Sequence, residues 1–334
     1  MVKFYAFFGA FLFFLVGLGQ PSWALPYCMS ERESVLPFVE AAKLIVVKAR
    51  VDEREGYFLF DTGISVLTLN DQYFGGEENV RKFRKVTDVN GSREKLEGCL
   101  VQSFRWGGVE RDSFHAPLVD LSMLENVLDV ELLGLLGWEV FKDVEVHIDY
   151  DARQMTLRRL DATGVFPSPS LRPEPSHVLA FEMEGHVPVL QARIGEQQLR
   201  MGWDSGASIN MMNKKLRRYL PDEARKLMNI PYGGVLSSRK APFVAVGAIQ
   251  IEDQFAVTAW RMALTKMKHF KKRELNIDGF IGADLLRLGQ LSINYRKREI
   301  ALWINDNIFS LRYQPLRGAG WARQGGPPAG SPEK

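Results

Sequence analysis

The sequence predicts an all-β, two-lobed protein with few short helices, built by tandem duplication. Three observations lead there. Short runs of β-branched and aromatic residues recur between turn-forming residues along most of the chain. The chain resembles itself when slid by 143 to 145 residues. A Pro- and Ser-rich stretch at 161–176 divides it into a first lobe (25–160) and a second (177–305). A length of 334 residues accommodates two lobes, and 46% hydrophobic with 25% charged residues is an ordinary globular composition. The net charge of +3 offers no argument for nucleic acid or an anionic membrane as a partner.

The N-terminus has its own signature. Lys3 precedes an apolar run from Phe4 to Gly19, followed by Ser22-Trp23-Ala24. This reads as a signal peptide over residues 1–24, cut after Ala24, which predicts an exported protein, periplasmic or secreted. An uncleaved membrane anchor over residues 4–19 is the alternative, and only then would the chain have a membrane partner. Cys28 and Cys99 are the only cysteines, and an oxidising compartment makes a disulfide between them an expectation. No Cys/His cluster has metal-ligand spacing, so neither a metal nor another cofactor is expected.

In chain order, Ser30 to Ala42 suits a short helix or an entry strand. Leu44 to Val51 reads as a strand, Asp52 to Gly56 as a turn and Tyr57 to Phe60 as the returning strand. Val66 to Leu69 continues as a strand, whereas Asn70 to Val89 is charged and loop-like. Leu96 to Trp106, Ser113 to Leu118, Leu132 to Leu136, Val144 to Tyr150 and Met155 to Leu157 complete the strands of the first half. Beyond the linker, strands resume at Val187. Leu216, Leu220, Ala224 and Leu227 predict an amphipathic helix over Lys214 to Met228. Lys266 to Arg273 is a basic loop, and residues 306–334, rich in Gly and Pro, form a tail expected to be disordered.

An offset of 143 lays Asp61-Thr62-Gly63 on Asp204-Ser205-Gly206, and Ala49, Arg50, Glu53, Ser65 and Asn70 on identical residues. An offset of 145 lays Gly134, Gly137, Ile148, Tyr150, Arg153 and Leu157 on identical residues. A lone Asp-Thr-Gly is weak evidence. Two, at a near-constant offset within two similar halves, indicate duplicated lobes packed about a pseudo-two-fold axis, and hence a monomer that mimics a dimer. Near that axis Asp61 and Asp204 would share one proton, because two adjacent carboxylates cannot both ionise comfortably. Such a pair can activate a water for attack on a carbonyl.

The two Asp-hydroxyl-Gly loops, each followed by an apolar-apolar-Gly segment (Leu135-Leu136-Gly137 and Phe280-Ile281-Gly282), resemble the aspartic peptidases of the pepsin and retropepsin group. The resemblance covers roughly residues 40 to 305 and is nearer the compact, bacterial retropepsin-like type. It implies an acid-protease fold, an endopeptidase acting on polypeptide, and Asp61 and Asp204 as catalytic dyad. Thr62 and Ser205 would hydrogen-bond reciprocally beneath the dyad, and Gly63 and Gly206 would offer backbone N–H groups to it. Asn90-Gly91 and Tyr232-Gly233 are candidates for substrate-covering hairpin tips. Ile64 and Ala207 stand where pepsin-like enzymes usually carry a hydroxyl, which predicts a less acidic pH optimum than a gastric-type enzyme's. Residues 25–43 are a candidate pro-segment. An inactive peptide-binding protein of the same fold, or a structural envelope protein, is the competing reading.

Overall fold

The runs of β-branched residues become strands. The computed structural model describes residues 26–76, 81–87, 93–167, 172–221, 224–234, 237–267, 276–304 and 312–315. The signal segment, the anchor alternative and most of the tail lie outside them. In the first lobe the strands are β1 Cys28–Met29, β2 Glu33–Ala41, β3 Leu44–Val51, β4 Arg54–Phe60, β5 Thr68–Asn70, β6 Arg81–Thr87, β7 Arg93–Trp106, β8 Val109–Val119, β9 Gly134–Leu136, β10 Val144–Asp149 and β11 Gln154–Arg159. Three short helices, α1 Asp71–Phe74, α2 Ser122–Leu128 and α3 Trp138–Phe141, punctuate them. The second lobe has β12 His177–Ala180, β13 Glu182–Glu184, β14 Val187–Ile194, β15 Gln197–Trp203, β16 Asn210–Asn213, β17 Arg225–Gly234, β18 Ser237–Ile251, β19 Phe255–Thr265, β20 Gly279–Ile281, β21 Gly289–Asn294 and β22 Glu299–Ile304, with β23 Arg312–Pro315 added at its edge. The protein is all-β and two-lobed.

The duplication is visible element by element. Shifted by 143, β3 and β4 fall on β14 and β15; shifted by 145, β9, β10 and β11 fall on β20, β21 and β22 with identical limits. The halves join in a six-stranded stretch ordered β12-β22-β21-β10-β11-β2. At its centre β10 and β21 pair antiparallel, His147 opposite Ser292. These two residues are equivalents at the 145 offset, so the pseudo-two-fold axis passes between them. One apolar core runs through both halves, from Phe58, Phe60 and Trp106 to Trp203, Trp260 and Ile281, all 0–1% exposed.

Several expectations are corrected, and one choice is decided. Of helix or entry strand, Ser30 to Ala42 takes the strand, β2, hydrogen-bonded between β11 and β3. Removing it as a pro-segment would open the sheet, so residues 26–41 are structural. Asn70 to Val89 is not all loop: Asn70 caps α1 by accepting from the Gln72 amide, and β6 pairs with β7. The helix expected over 214–228 is a 3-10 turn at Lys214–Tyr219 followed by β17. Leu216 and Leu220 pack on the core, but Leu227 is 40% exposed, so helical spacing did not continue past Pro221. The described residues of the linker are docked. Trp303 Nε1 donates to Pro173 O at 2.8 Å, and Arg172 pairs with Glu145 at 3.2 Å. Within the tail, β23 pairs with β19. Cys28 and Cys99 are not disulfide-bonded. They lie opposite Glu110 and Ala116 of β8, six residues apart, which is about 20 Å of strand and far beyond bridging reach.

Candidate active site

Each Asp ends a buried strand. Parallel pairing of β4 with β9, and of β15 with β20, lets Asp61 N donate to Leu136 O (3.1 Å) and Asp204 N to Ile281 O (2.9 Å). The apolar-apolar-Gly segments are therefore the strands on which the two loops rest. Their glycines are required by close approach. A Cβ at Gly137 would lie 2.4 Å from Val66 O, and one at Gly282 2.4 Å from Ala207 O. Buried Asn210 adds a strut in the second lobe, its Oδ1 accepting from Gly282 N at 3.0 Å and its Nδ2 donating to Asp284 Oδ2 at 2.8 Å.

The loops lock together by four reciprocal bonds. Thr62 N donates to Ser205 Oγ (3.0 Å) and Ser205 N to Thr62 Oγ1 (2.9 Å). Thr62 Oγ1 donates to Trp203 O (3.1 Å) and Ser205 Oγ to Phe60 O (3.0 Å). Each hydroxyl thus donates once and accepts once, as a buried hydroxyl should. Gly63 N donates to Asp61 Oδ1 (2.8 Å) and Gly206 N to Asp204 Oδ1 (3.0 Å). A Cβ at Gly206 would meet all three atoms of the Asp61 carboxyl at 2.3–2.6 Å, and one at Gly63 would meet those of Asp204 at 2.6–2.9 Å. Each carboxyl therefore lies over the glycine of the opposing loop. All the residues of the predicted dyad and its support are brought together.

Both carboxyls are fully buried. Burial raises Asp61 to about 7, against its backbone amide bonds. Asp204 is raised well above its ordinary value by burial and then by the charge of Asp61. With both carboxyls raised, the pair keeps at least one proton through mildly acidic pH and titrates as a unit. Ile64 and Ala207 offer backbone but no side-chain donors, and Oδ2 of each Asp has no hydrogen-bond partner among the described residues.

Two features escaped the sequence reading. His186, in the β13–β14 turn, is buried and its Nε2 bonds Gly63 O across the lobes at 2.9 Å. Burial lowers it to about 4, so it is neutral and donates to the carbonyl. The repeat gave no signal for it: at the 143 offset His186 falls on Lys43, a different residue at the matching β2–β3 turn. Tyr295 is buried near both carboxyls; burial, then the charges of Asp61 and Asp204, push its hydroxyl well above the usual range. Of the candidate hairpin tips, Asn90 and Gly91 lie outside the described residues. Tyr232 and Gly233 lie near the end of the β17–β18 hairpin, and Tyr232 is buried in one apolar cluster with Ala207, Met211 and Phe280. Among the described residues no group of three or more His, Cys, Asp and Glu is placed to hold a metal ion, and no helix is long and apolar enough to cross a membrane. The chain matches no family model and no curated protein.

Proposed function

We propose that the chain is an exported aspartic endopeptidase of the pepsin and retropepsin type, hydrolysing peptide bonds with Asp61 and Asp204. The observation that carries this reading is the reciprocal Thr62–Ser205 grip, which holds two fully buried carboxyls face to face over opposing glycines. A structural role gives no reason to bury two carboxyls against each other, a costly arrangement. In the reaction, the ionised carboxyl takes a proton from a water held by the pair. The resulting hydroxide adds to the scissile carbonyl carbon while the protonated carboxyl gives its proton to the carbonyl oxygen. Proton return to the nitrogen then releases the amine as the C–N bond breaks. The apolar run from Phe4 to Gly19, with Ser22-Trp23-Ala24 after it, supports export, and the structural role of residues 26–41 argues for activity without removal of a pro-segment there.

The test is digestion of casein and a peptide library from pH 3 to 7 by wild type, Asp61→Asn and Asp204→Asn. Cleavage by wild type, lowered at least about a thousandfold in either variant, is expected. A folded wild type that cleaves nothing across this range would overturn the reading and leave the fold as a peptide-binding module.

A further inference from the structure

The net charge of +3 conceals two opposed lobes. Residues 25–160 hold 17 Lys and Arg against 24 Asp and Glu, a net −7, whereas residues 177–305 hold 20 against 12, a net +8. Much of the second lobe's excess lies in the stretch that failed to form the expected helix. Lys214, Lys215, Arg217 and Arg218 on the 3-10 turn, and Arg225 and Lys226 at the start of β17, are all exposed. None of the six is in an ion pair among the described residues, and the same stretch contains only Asp222 and Glu223 as acids. Leu216 and Leu220 anchor the turn to the core and leave the cations outward.

Exposed apolar groups are interleaved with these cations. Tyr219 (43% exposed), Leu227 (40%) and Met228 (55%) stand in the same stretch. Arg218 lies over the Tyr219 ring at 4.7 Å, so the aromatic body and a cation face outward together. Arg261, the neighbour of Arg225 across β18, extends the positive surface onto β19. Cations alone would suit any polyanion. Cations mixed with exposed Leu, Met and Tyr suit a surface that is anionic at its face and apolar just beneath it.

We infer that the face formed by Lys214–Tyr219 and by residues 225–228 docks the protein on an anionic lipid bilayer, the cations meeting headgroups and Tyr219, Leu227 and Met228 entering the acyl boundary. This surface begins immediately after β16, the strand that follows the Asp204 loop. The inference does not depend on peptidase activity.

The experiment is co-sedimentation of the full chain with vesicles of phosphatidylcholine alone or with 30% phosphatidylglycerol, at low and high salt. It compares wild type, Lys214→Glu/Lys215→Glu/Arg217→Glu/Arg218→Glu, and Leu227→Ser/Met228→Ser. Because residues 4–19 are identical in all three, the readout is the difference between them. Binding to the anionic vesicles should fall at least 30-fold in the charge variant and about threefold or more in the apolar variant, with thermal midpoints preserved. Wild-type binding should weaken with salt. Folded variants that bind as wild type does, or a wild type indifferent to phosphatidylglycerol, would overturn the inference. If the charge variant loses binding but the apolar variant does not, and a DNA oligonucleotide displaces the vesicles, the face is a general polyanion site and the membrane assignment fails. A charge variant with a collapsed midpoint is replaced by four Lys/Arg→Gln substitutions, judged by the same criterion.

Discussion

The two Asp loops agree where they touch each other and differ where they touch their own lobes. Across the axis Thr62 and Ser205 exchange equivalent bonds within 0.1 Å of one another, 3.0 against 2.9 Å and 3.1 against 3.0 Å. Behind the loops the equivalence lapses. Ile64 is part of the large shared core, whereas Ala207 belongs to a smaller cluster with Tyr232 and Phe280. The matching turns both cross the interface but bind differently, His186 to Gly63 O and Lys43 Nζ to Asp284 Oδ1 at 3.3 Å. Tyr150 donates to Lys43 O at 3.0 Å, while its equivalent Tyr295 leaves its hydroxyl without a partner among the described residues. On a two-fold axis a residue's partner is its own copy, so a change on one side must suit both. Away from the axis each lobe is free to pack its own way.

The sharpest way to break that equivalence is to crowd the glycines. Gly206→Ala places a methyl 2.3 Å from Asp61 Cγ, and Gly63→Ala places one 2.6 Å from Asp204 Oδ1. Neither carboxyl can retreat without leaving its backbone donor. Each substitution should lower kcat/KM by at least about 100-fold, since a misplacement near 1 Å has that cost. Activity measured on both variants should give matching losses. A tolerated Gly63→Ala would show that the lobes hold the opposing carboxyl with unequal rigidity.

The hydroxyls come next. Thr62→Ala or Ser205→Ala removes one donor and one acceptor from a buried network and leaves partners unsatisfied, costing about 2–4 kcal/mol each. Each substitution removes its own two of the four bonds, but both loosen the same contact between the loops, so the double variant should cost clearly less than the sum. Denaturant unfolding of the four proteins checks this. Thr62→Ser should stay close to wild type.

What the sequence disclosed follows the same division. Residues tied to the axis were legible because they recur: the offset paired the two Asp loops, and the family resemblance carried by those loops implied the roles of the hydroxyls and glycines beside the dyad. Features lacking a repeated partner were not. His186 faces Lys43 in the alignment, two residues with nothing chemical in common, although both bridge the lobes. The 214–228 stretch has helical spacing, but Pro221 breaks it and pairing with β18 absorbs the remainder as strand. The expected disulfide failed because two cysteines in one compartment say nothing of register; β8 separates them by six residues. The linker's prolines suggested an extended connection, yet Pro173 offers its carbonyl to Trp303, a contact with a residue 130 positions on that composition does not show.

A weaker contrast concerns pH, where the dyad and the buried histidines pull in opposite directions. Asp61 is raised in the folded state to about 7, so its contribution is fully present below about pH 4 and is lost as pH rises through 7. His186 is lowered to about 4 and His147 to about 3, both chiefly by burial. Their contribution is present above about pH 6.5 and declines as pH falls below that. Stability should therefore peak in mild acid, with the loss above neutrality shallower in Asp204→Asn, which removes the neighbouring charge. Thermal midpoints from pH 3 to 9 test this, and an activity optimum near pH 2 would contradict the raised dyad.

The smallest expected effects separate the two cross-lobe turns. His186→Ala deletes a buried hydrogen bond to the first Asp loop and leaves Gly63 O without that donor, so it should cost about 1–2 kcal/mol and lower kcat. Lys43→Met deletes an ion pair whose cation is 35% exposed, and such pairs contribute about 1 kcal/mol or less. Asp284 keeps Asn210 Nδ2 as a donor, so activity should change little. Unfolding curves and initial rates for both variants decide the matter. Equal effects on rate would mean that both turns steady the dyad loops and that the asymmetry between lobes is one of chemistry, with no mechanical consequence. The expected inequality would make the first loop depend on its opposite lobe more than the second loop does.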